Sequence, residues 1–278
     1  MIPLIRLDAP MLVFGGPYSN RQATEAVLAE AVLRGITGDR ILCTGDVVAY
    51  AADAAACCEL MMASGALVLM GNCEENLAAE SKDCGCGFEE NTACDLLSRA
   101  WYAHANRQVS PRHRAWMGGL PRQLHLELPD RRRLAVVHGG ASEISRFLFA
   151  STPEPVLREE LAETACQGVI AGHCGIPFAR RLEGGGLWLN AGAVGMPAND
   201  GTPRAWFTLL TPAARSLTVE ILPLEYDHRA AAAAMRAAGL PEGYASGLET
   251  GLWPSCDVLP SVELAARARA LPPVRMVW

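Results

Sequence analysis

The sequence predicts an α/β fold, in which a mostly parallel sheet is layered with helices. Near the start of the chain, short apolar strands alternate with helical patterns three times, as βαβ units do. Half of the 278 residues are hydrophobic, which provides ample material for a core. Neither an internal repeat nor a Pro/Ser-rich linker divides the chain. We therefore expect a single domain over residues 1–278.

The individual elements follow from apolar runs and from the turn residues that end them. A buried strand is expected at 11–14, and Asn20 then caps a helix over 22–33. Further helices are expected at 52–63, 155–166 and 228–238. The remaining strands are predicted at 41–43, 66–70, 124–128, 134–137, 168–171, 186–189, 205–210 and 217–222. The spacing of the last strands indicates an antiparallel meander.

Two segments fall outside this alternation. An insert at about 76–118 begins with a Cys- and Gly-rich loop and continues with helical patterns at 92–106 and 111–117. An extension at about 223–278 follows the last predicted strand. We expect a helical, Cys-rich insert embedded in the α/β domain.

Composition excludes several classes of protein. No run of about 18 uncharged apolar residues is present, so neither a transmembrane helix nor a membrane partner is expected. The start of the sequence lacks a basic segment followed by an apolar run, which predicts no secretory signal. The net charge of −6 argues against a nucleic-acid partner. Ten cysteines without an export signal indicate a reducing, cytoplasmic location, with thiols that are buried, reactive or metal-bound.

Polar residues follow the predicted strands at the points where functional groups gather in layered α/β sheets. Asp46, Asn72, His138 and His173 each lie in a loop directly after an apolar strand, with glycine beside them. A single such residue is more often a cap or a turn residue, but four at successive strand ends indicate a common site. Carboxylate, amide and imidazole groups together suit zinc, manganese or iron.

Five motifs in this order resemble those of the calcineurin-like metallophosphoesterases, and in particular the branch of bacterial phosphodiesterases and dinucleoside polyphosphatases. The resemblance runs from about residue 11 to residue 222. It implies a four-layer, two-sheet α/β sandwich with metal ions at the strand ends. The motifs are Gly45-Asp46-Val-Val-Ala-Tyr50, Gly71-Asn72-Cys73-Glu74, Val137-His138-Gly139, Gly172-His173-Cys174-Gly175 and Asn190-Ala-Gly-Ala-Val-Gly195.

The resemblance also assigns metal ligands. Members of the family hold two metal ions around one bridging aspartate, whose position here is that of Asp46. Asn72, His138 and His173 match the other ligands of the second metal ion, so that this set is complete. We therefore expect about one divalent ion per chain, either manganese, zinc or iron.

The first metal site is degenerate by the same comparison. The Asp-x-His motif of the family falls on Gly16 and Tyr18, and the last histidine ligand falls on Gly175. Cys73 stands where the family has a catalytic histidine, which leaves Asp46 and Cys73 as the candidate catalytic residues. Tyr18 could offer a phenolate to a ferric ion, although a ring packed over the vacated pocket is favoured.

These observations predict a phosphoesterase-like hydrolase with an altered, single-metal site, acting on a small phosphomonoester or phosphodiester. Two alternatives stay open. The chain could be a catalytically inactive protein that keeps the fold to bind a ligand. It could also be a rewired metalloprotein, in which cysteines supply new ligands. The candidates for that role are Cys73, Cys174 and the insert group Cys84, Cys86 and Cys94.

Overall fold

A computed structural model describes residues 2–89 and 92–278. Met1, Glu90 and Asn91 lie outside the described residues, and the latter two belong to the predicted insert. The strands are β1 Leu4–Arg6, β2 Met11–Phe14, β3 Ile41–Cys43, β4 Leu67–Val68, β5 Gln123–Glu127, β6 Arg133–Val137, β7 Gly168–Ala171, β8 Phe178–Arg181, β9 Leu187–Asn190, β10 Ala205–Pro212, β11 Leu217–Leu224 and β12 Val274–Val277. The helices are α1 Arg21–Leu33, α2 Ala54–Ser64, α3 Asn72–Ala78, α4 Ala93–Gln108, α5 Pro111–Gly118, α6 Glu154–Glu163, α7 His228–Ala237, α8 Glu242–Thr250 and α9 Ser261–Ala265, with a 3₁₀ turn at Gly38–Arg40.

Two six-stranded mixed sheets form an α/β sandwich, which confirms the predicted fold class. One sheet has the order β12-β11-β10-β2-β3-β4, and the other has the order β1-β5-β6-β7-β9-β8. Strands β2, β3 and β4 are parallel, as three successive βα units require. Strands β10 and β11 pair antiparallel, as the predicted meander requires, and β12, which was not predicted, extends it by pairing with β11.

The sandwich is held by three apolar clusters. Side chains from the facing sides of both sheets, such as Val13, Leu134 and Trp206, form the cluster between the sheets. Helices α1, α2 and α7 cover the outer face of the first sheet, and α6 covers that of the second sheet. Strand β2 is buried at all four residues because both of its faces are covered. This burial explains why its sequence is a continuous apolar run.

Parallel strands of both sheets point their carboxyl ends toward one rim. Strands β2, β3 and β4 of the first sheet and β6 and β7 of the second end there. A backbone hydrogen bond from Gly172 to the His138 carbonyl (2.7 Å) joins two of the rim loops in the second sheet. The bond from Val194 to the Gly15 carbonyl (2.9 Å) links the two sheets. The rim is therefore a closely connected set of loops.

The structure corrects three details of the sequence interpretation. The Gly71–Glu74 motif is not a loop throughout, because α3 begins at Asn72. The expected strand over 66–70 is only the short β4. Cys84 and Cys86 are joined by a disulfide, so the expectation that every cysteine is a thiol or a metal ligand is wrong for this pair. No helix among the described residues is long and apolar enough to cross a membrane.

Candidate metal centre

Four side chains at the rim meet at one point, three of them from loops and Asn72 from the first residue of α3. His138 Nε2 lies 3.1 Å from Asn72 Oδ1 and 3.1 Å from His173 Nδ1. It lies 3.2 Å from Asp46 Oδ2. All four residues were singled out from the sequence, and the structure brings all four together. Asp46, Asn72 and His138 are buried, and His173 is largely so.

The orientation of two of these side chains is set by hydrogen bonds behind them. His138 Nδ1 donates to the Thr44 carbonyl at 2.7 Å, which turns Nε2 toward the other candidate ligands. The Asn72 amide nitrogen donates to the Cys84 carbonyl at 3.0 Å, which directs Asn72 Oδ1 at His138. The Cys-rich insert therefore contacts the site and positions one of its oxygens.

Asp46 and His173 both adopt left-handed backbone conformations. Their φ angles are 56° and 58°, in a region that non-glycine residues visit rarely. Gly45, which precedes Asp46, has a φ of 103°, and a Cβ there would lie 2.9 Å from His138 Nδ1. Such conformations cluster at functional sites, where the surrounding structure imposes them. The backbone of the rim is shaped to aim these two side chains inward.

Glu74 is a site residue that the sequence interpretation missed. Its carboxylate accepts hydrogen bonds from the backbone N–H groups of Asp46 (2.7 Å), Gly71 (2.9 Å) and Val48 (3.3 Å). Burial, with the nearby charge of Asp46, raises the pKa of Glu74 to about 7. Glu74 thus joins the loops after β3 and β4 and positions Asp46. Its place in the Gly71-Asn72-Cys73-Glu74 motif was the available signal.

The charges of the site are coupled. Burial by itself would raise the pKa of Asp46, but the charge and hydrogen bond of His138 reverse this effect and lower it. Burial would likewise lower the pKa of His138, yet Asp46 raises it. The pKa of His173 falls to about 3, because burial and the charge of His138 both disfavour its protonated form. Without a bound ion, these pKa shifts favour the charged forms of Asp46 and His138 and the neutral form of His173.

The donor set suits a divalent metal ion. Asp46, His138 and His173 offer ligand atoms within 4.8 Å of one another, and Asn72 adds an amide oxygen. One carboxylate, one amide and two imidazoles match the preferences of zinc, manganese and iron. Among residues 2–89 and 92–278, no other group of three or more His, Cys, Asp or Glu converges in this way. No cysteine belongs to this group, which disfavours the rewired, thiolate-ligated alternative.

Aromatic rings fill the region around Gly16 and Gly175, where the resemblance would place ligands of a first metal ion. A Cβ placed on Gly16 would overlap the ring of Tyr18. A Cβ on Gly175 would lie 3.4 Å from the Trp253 ring and 3.9 Å from the Tyr18 hydroxyl. The Tyr18 ring packs edge-on against Tyr50, with ring centroids 4.9 Å apart. Tyr18 and Trp253 thus lie where side chains at positions 16 and 175 would extend, as the favoured interpretation of Tyr18 predicts.

The cysteines around the site are buried rather than reactive. The Cys73 backbone N–H donates to Asp46 Oδ1 at 3.2 Å. Burial and the charge of Asp46 raise the pKa of the Cys73 thiol well above its usual value. Burial also raises the pKa of Cys174 to about 12. Neither residue supplies a thiolate near neutral pH, and the catalytic part assigned to Cys73 stays a prediction.

Comparisons with known proteins agree with this architecture. The chain is 26% identical over 227 residues to an uncharacterized protein of Methanocaldococcus jannaschii, covering 76% of this chain and 85% of that one. No family model matches the sequence. A metallophosphoesterase of Sphaerobacter thermophilus superimposes with a TM-score of 0.67 at 22% identity, covering 88% of this chain and 99% of the other. A hypothetical protein of Pyrococcus horikoshii gives a TM-score of 0.71 at 17% identity, with the same coverage. The chain therefore has the fold of the metallophosphoesterases, as its resemblance to the calcineurin-like family implies.

Proposed function

We propose that the protein is a phosphoesterase-type hydrolase that uses a single divalent metal ion. The observation that carries the proposal is the approach of three ligand atoms, from Asn72, Asp46 and His173, to within 3.1–3.2 Å of His138 Nε2. In the described residues, no comparable set exists for a second ion. Manganese, zinc or iron would suit the ligands.

The residues of the chain have distinct parts in this proposal. Asp46, Asn72, His138 and His173 would hold the ion, which would activate a water molecule and neutralise charge on a phosphoryl oxygen. Thr44 and Glu74 keep His138 and Asp46 in place through hydrogen bonds. The substrate would be a small phosphomonoester or phosphodiester.

Slow turnover is part of the proposal. Cys73 stands in the position of a catalytic imidazole, and its buried thiol has a raised pKa. Loss of general acid–base assistance costs about two to four powers of ten in rate. A Cys73→His variant should therefore accelerate hydrolysis.

A binding protein without catalytic activity is the second candidate. It is favoured by the filled first site, since Tyr18 and Trp253 occupy space that ligands at Gly16 and Gly175 would need. Such a protein could still bind a metal ion and a phosphorylated ligand. We also propose a cytoplasmic location, supported by eight cysteines that are free beside the single Cys84–Cys86 disulfide of the described residues. The net charge of −6 supports the further proposal that nucleic acid is not a partner.

Hydrolysis of bis(p-nitrophenyl) phosphate tests the proposal. Metal-free protein is assayed with and without added manganese, together with Asp46→Asn. The matched control is Asp39→Asn, since Asp39 is exposed and lies in the 3₁₀ turn. We expect manganese-dependent release of p-nitrophenolate that is lost in Asp46→Asn and retained in Asp39→Asn. A hydrolysis rate unaffected by Asp46→Asn would overturn the proposed hydrolase function and leave the binding protein as the remaining candidate.

A further inference from the structure

A pocket opens beside His173 at the candidate metal centre. Its cavity volume is about 70 Å³, and His173, Cys174 and Gly175 contribute to its lining. Six aromatic side chains make up much of the remaining wall: Tyr18, Tyr50, Phe88, Phe147, Tyr244 and Trp253. The Phe147 ring lies 4.3 Å from the His173 ring, between centroids, so the aromatic wall is continuous with a candidate ligand.

The pocket is uncharged. No Lys, Arg, Asp or Glu lines it among the described residues. The one imidazole in its wall belongs to His173, which the aromatic rings adjoin. An ionised group placed in such surroundings would lose hydration without gaining a partner. The pocket is therefore suited to a neutral, apolar group.

The pocket extends over the degenerate first site. Tyr18 and Trp253 approach the Cβ positions of Gly16 and Gly175, and both rings also line the pocket. Trp253 is held by hydrogen bonds from its indole to the Pro197 carbonyl (2.6 Å) and from its backbone to Asn199 (2.8 Å). The replacement of ligand side chains by anchored rings creates an aromatic surface next to the remaining metal-binding set.

We propose that this pocket binds a neutral aromatic ring esterified to the substrate phosphate, so that the preferred substrate class is an aryl-type phosphodiester. Ring-on-ring packing against Tyr18, Phe147 and Trp253 would hold the substituent. The phosphate would lie toward His173 and the metal centre. This inference rests on the proposed hydrolase function, but the ring-binding part can be measured separately.

A pocket-filling variant tests the inference. Val258 lines the pocket, and Val258→Phe would occupy part of its volume. Val262 is 61% exposed in α9 and does not line the pocket, so Val262→Phe is the matched control. Thermal unfolding of both variants verifies that they are folded.

Calorimetric titration with two unreactive probes gives the binding readout on manganese-loaded protein. Diphenyl phosphate is expected to bind at least tenfold more tightly than dimethyl phosphate. Val258→Phe should weaken diphenyl phosphate binding about ten- to hundredfold, the loss expected for the apolar surface of one ring. Val262→Phe should leave it unchanged. Equal binding of both probes, or no effect of Val258→Phe, would overturn the inference.

Titration of metal-free protein with p-cresol separates this inference from the hydrolase proposal. Binding of p-cresol that is lost in Val258→Phe supports the ring pocket even if no hydrolysis is found. The ring pocket alone would be overturned if hydrolysis depends on manganese but Val258→Phe leaves p-cresol binding intact. The hydrolase proposal would then stand.

Discussion

The buried pair of Asp46 and His138 offers a test of the electrostatics of the site. The His138 Nε2 and Asp46 Oδ2 atoms are 3.2 Å apart, and their side chains are only 1% and 6% exposed. His138→Ala would leave the Asp46 carboxylate buried without its partner. Breaking such a pair costs about 3–5 kcal/mol of unfolding free energy. We expect this loss in the metal-free protein at pH 7.

A double variant separates the charge effect from the loss of packing. In Asp46→Asn/His138→Ala no unpaired charge remains, so the double variant should be more stable than His138→Ala by about 2 kcal/mol. The cost of His138→Ala should also shrink at lower pH. His138 lowers the pKa of Asp46. Without it that pKa rises, and the carboxylate takes up a proton as the pH falls.

Urea denaturation in the presence of a chelator measures these differences. The mutant cycle compares four proteins: the parent, Asp46→Asn, His138→Ala and the double variant. The midpoint and slope of each denaturation curve give its free energy of unfolding. A double variant no more stable than His138→Ala would show that Asp46 is not a buried charge paired with His138, and would refute the reasoning.

Three further predictions concern the surroundings of the site. Gly175→Ala should cost about 1–2 kcal/mol in urea denaturation, because its φ of 74° is left-handed; an unchanged midpoint would contradict this. Glu160 is buried, and its hydrogen bonds to Ser142 lower its pKa against the opposing effect of burial. The stability that Glu160 contributes is thus present above about pH 4.3 and lost as the pH falls through the lowered pKa. Melting temperatures of Glu160→Gln should accordingly vary less over this acid range than those of the parent. Replacing both Cys84 and Cys86 by serine should weaken manganese binding in calorimetric titration, because the Cys84 carbonyl orients the Asn72 amide; unchanged affinity would show that the disulfide is dispensable for the site.

The central strands were predictable because strands that are buried on both faces consist of continuous apolar residues. Strand β2 is buried at every residue and reads as a continuous apolar run. Strands β1, β8 and β12 were not predicted. In β1 and β12, exposed and partly buried residues alternate, and no strong period marks either strand. They exist through pairing with β5 and β11, which are distant in sequence. Such edge strands depend on tertiary contacts that local patterns do not show.

The candidate ligands were predictable because a glycine lies beside each of them at the end of an apolar strand. The supporting contacts were not. Glu74 acts on the backbone of Asp46, which is 28 residues earlier in the chain. The Trp253 ring lies beside Gly175, although the two residues are far apart in the sequence. The local sequence around Trp253 gives no sign of this contact. Contacts that close over a site from separate loops are set by the assembled fold.

The metal content of purified protein tests the central claim most directly. Elemental analysis is performed on the parent protein and on His173→Ala, Cys73→Ser and the surface control Asp39→Asn after incubation with manganese and removal of free ions. The account predicts one ion per chain in the parent, in Cys73→Ser and in Asp39→Asn, and none in His173→Ala. Two ions per chain, or an ion lost with Cys73→Ser but kept in His173→Ala, would contradict a single site formed by Asp46, Asn72, His138 and His173.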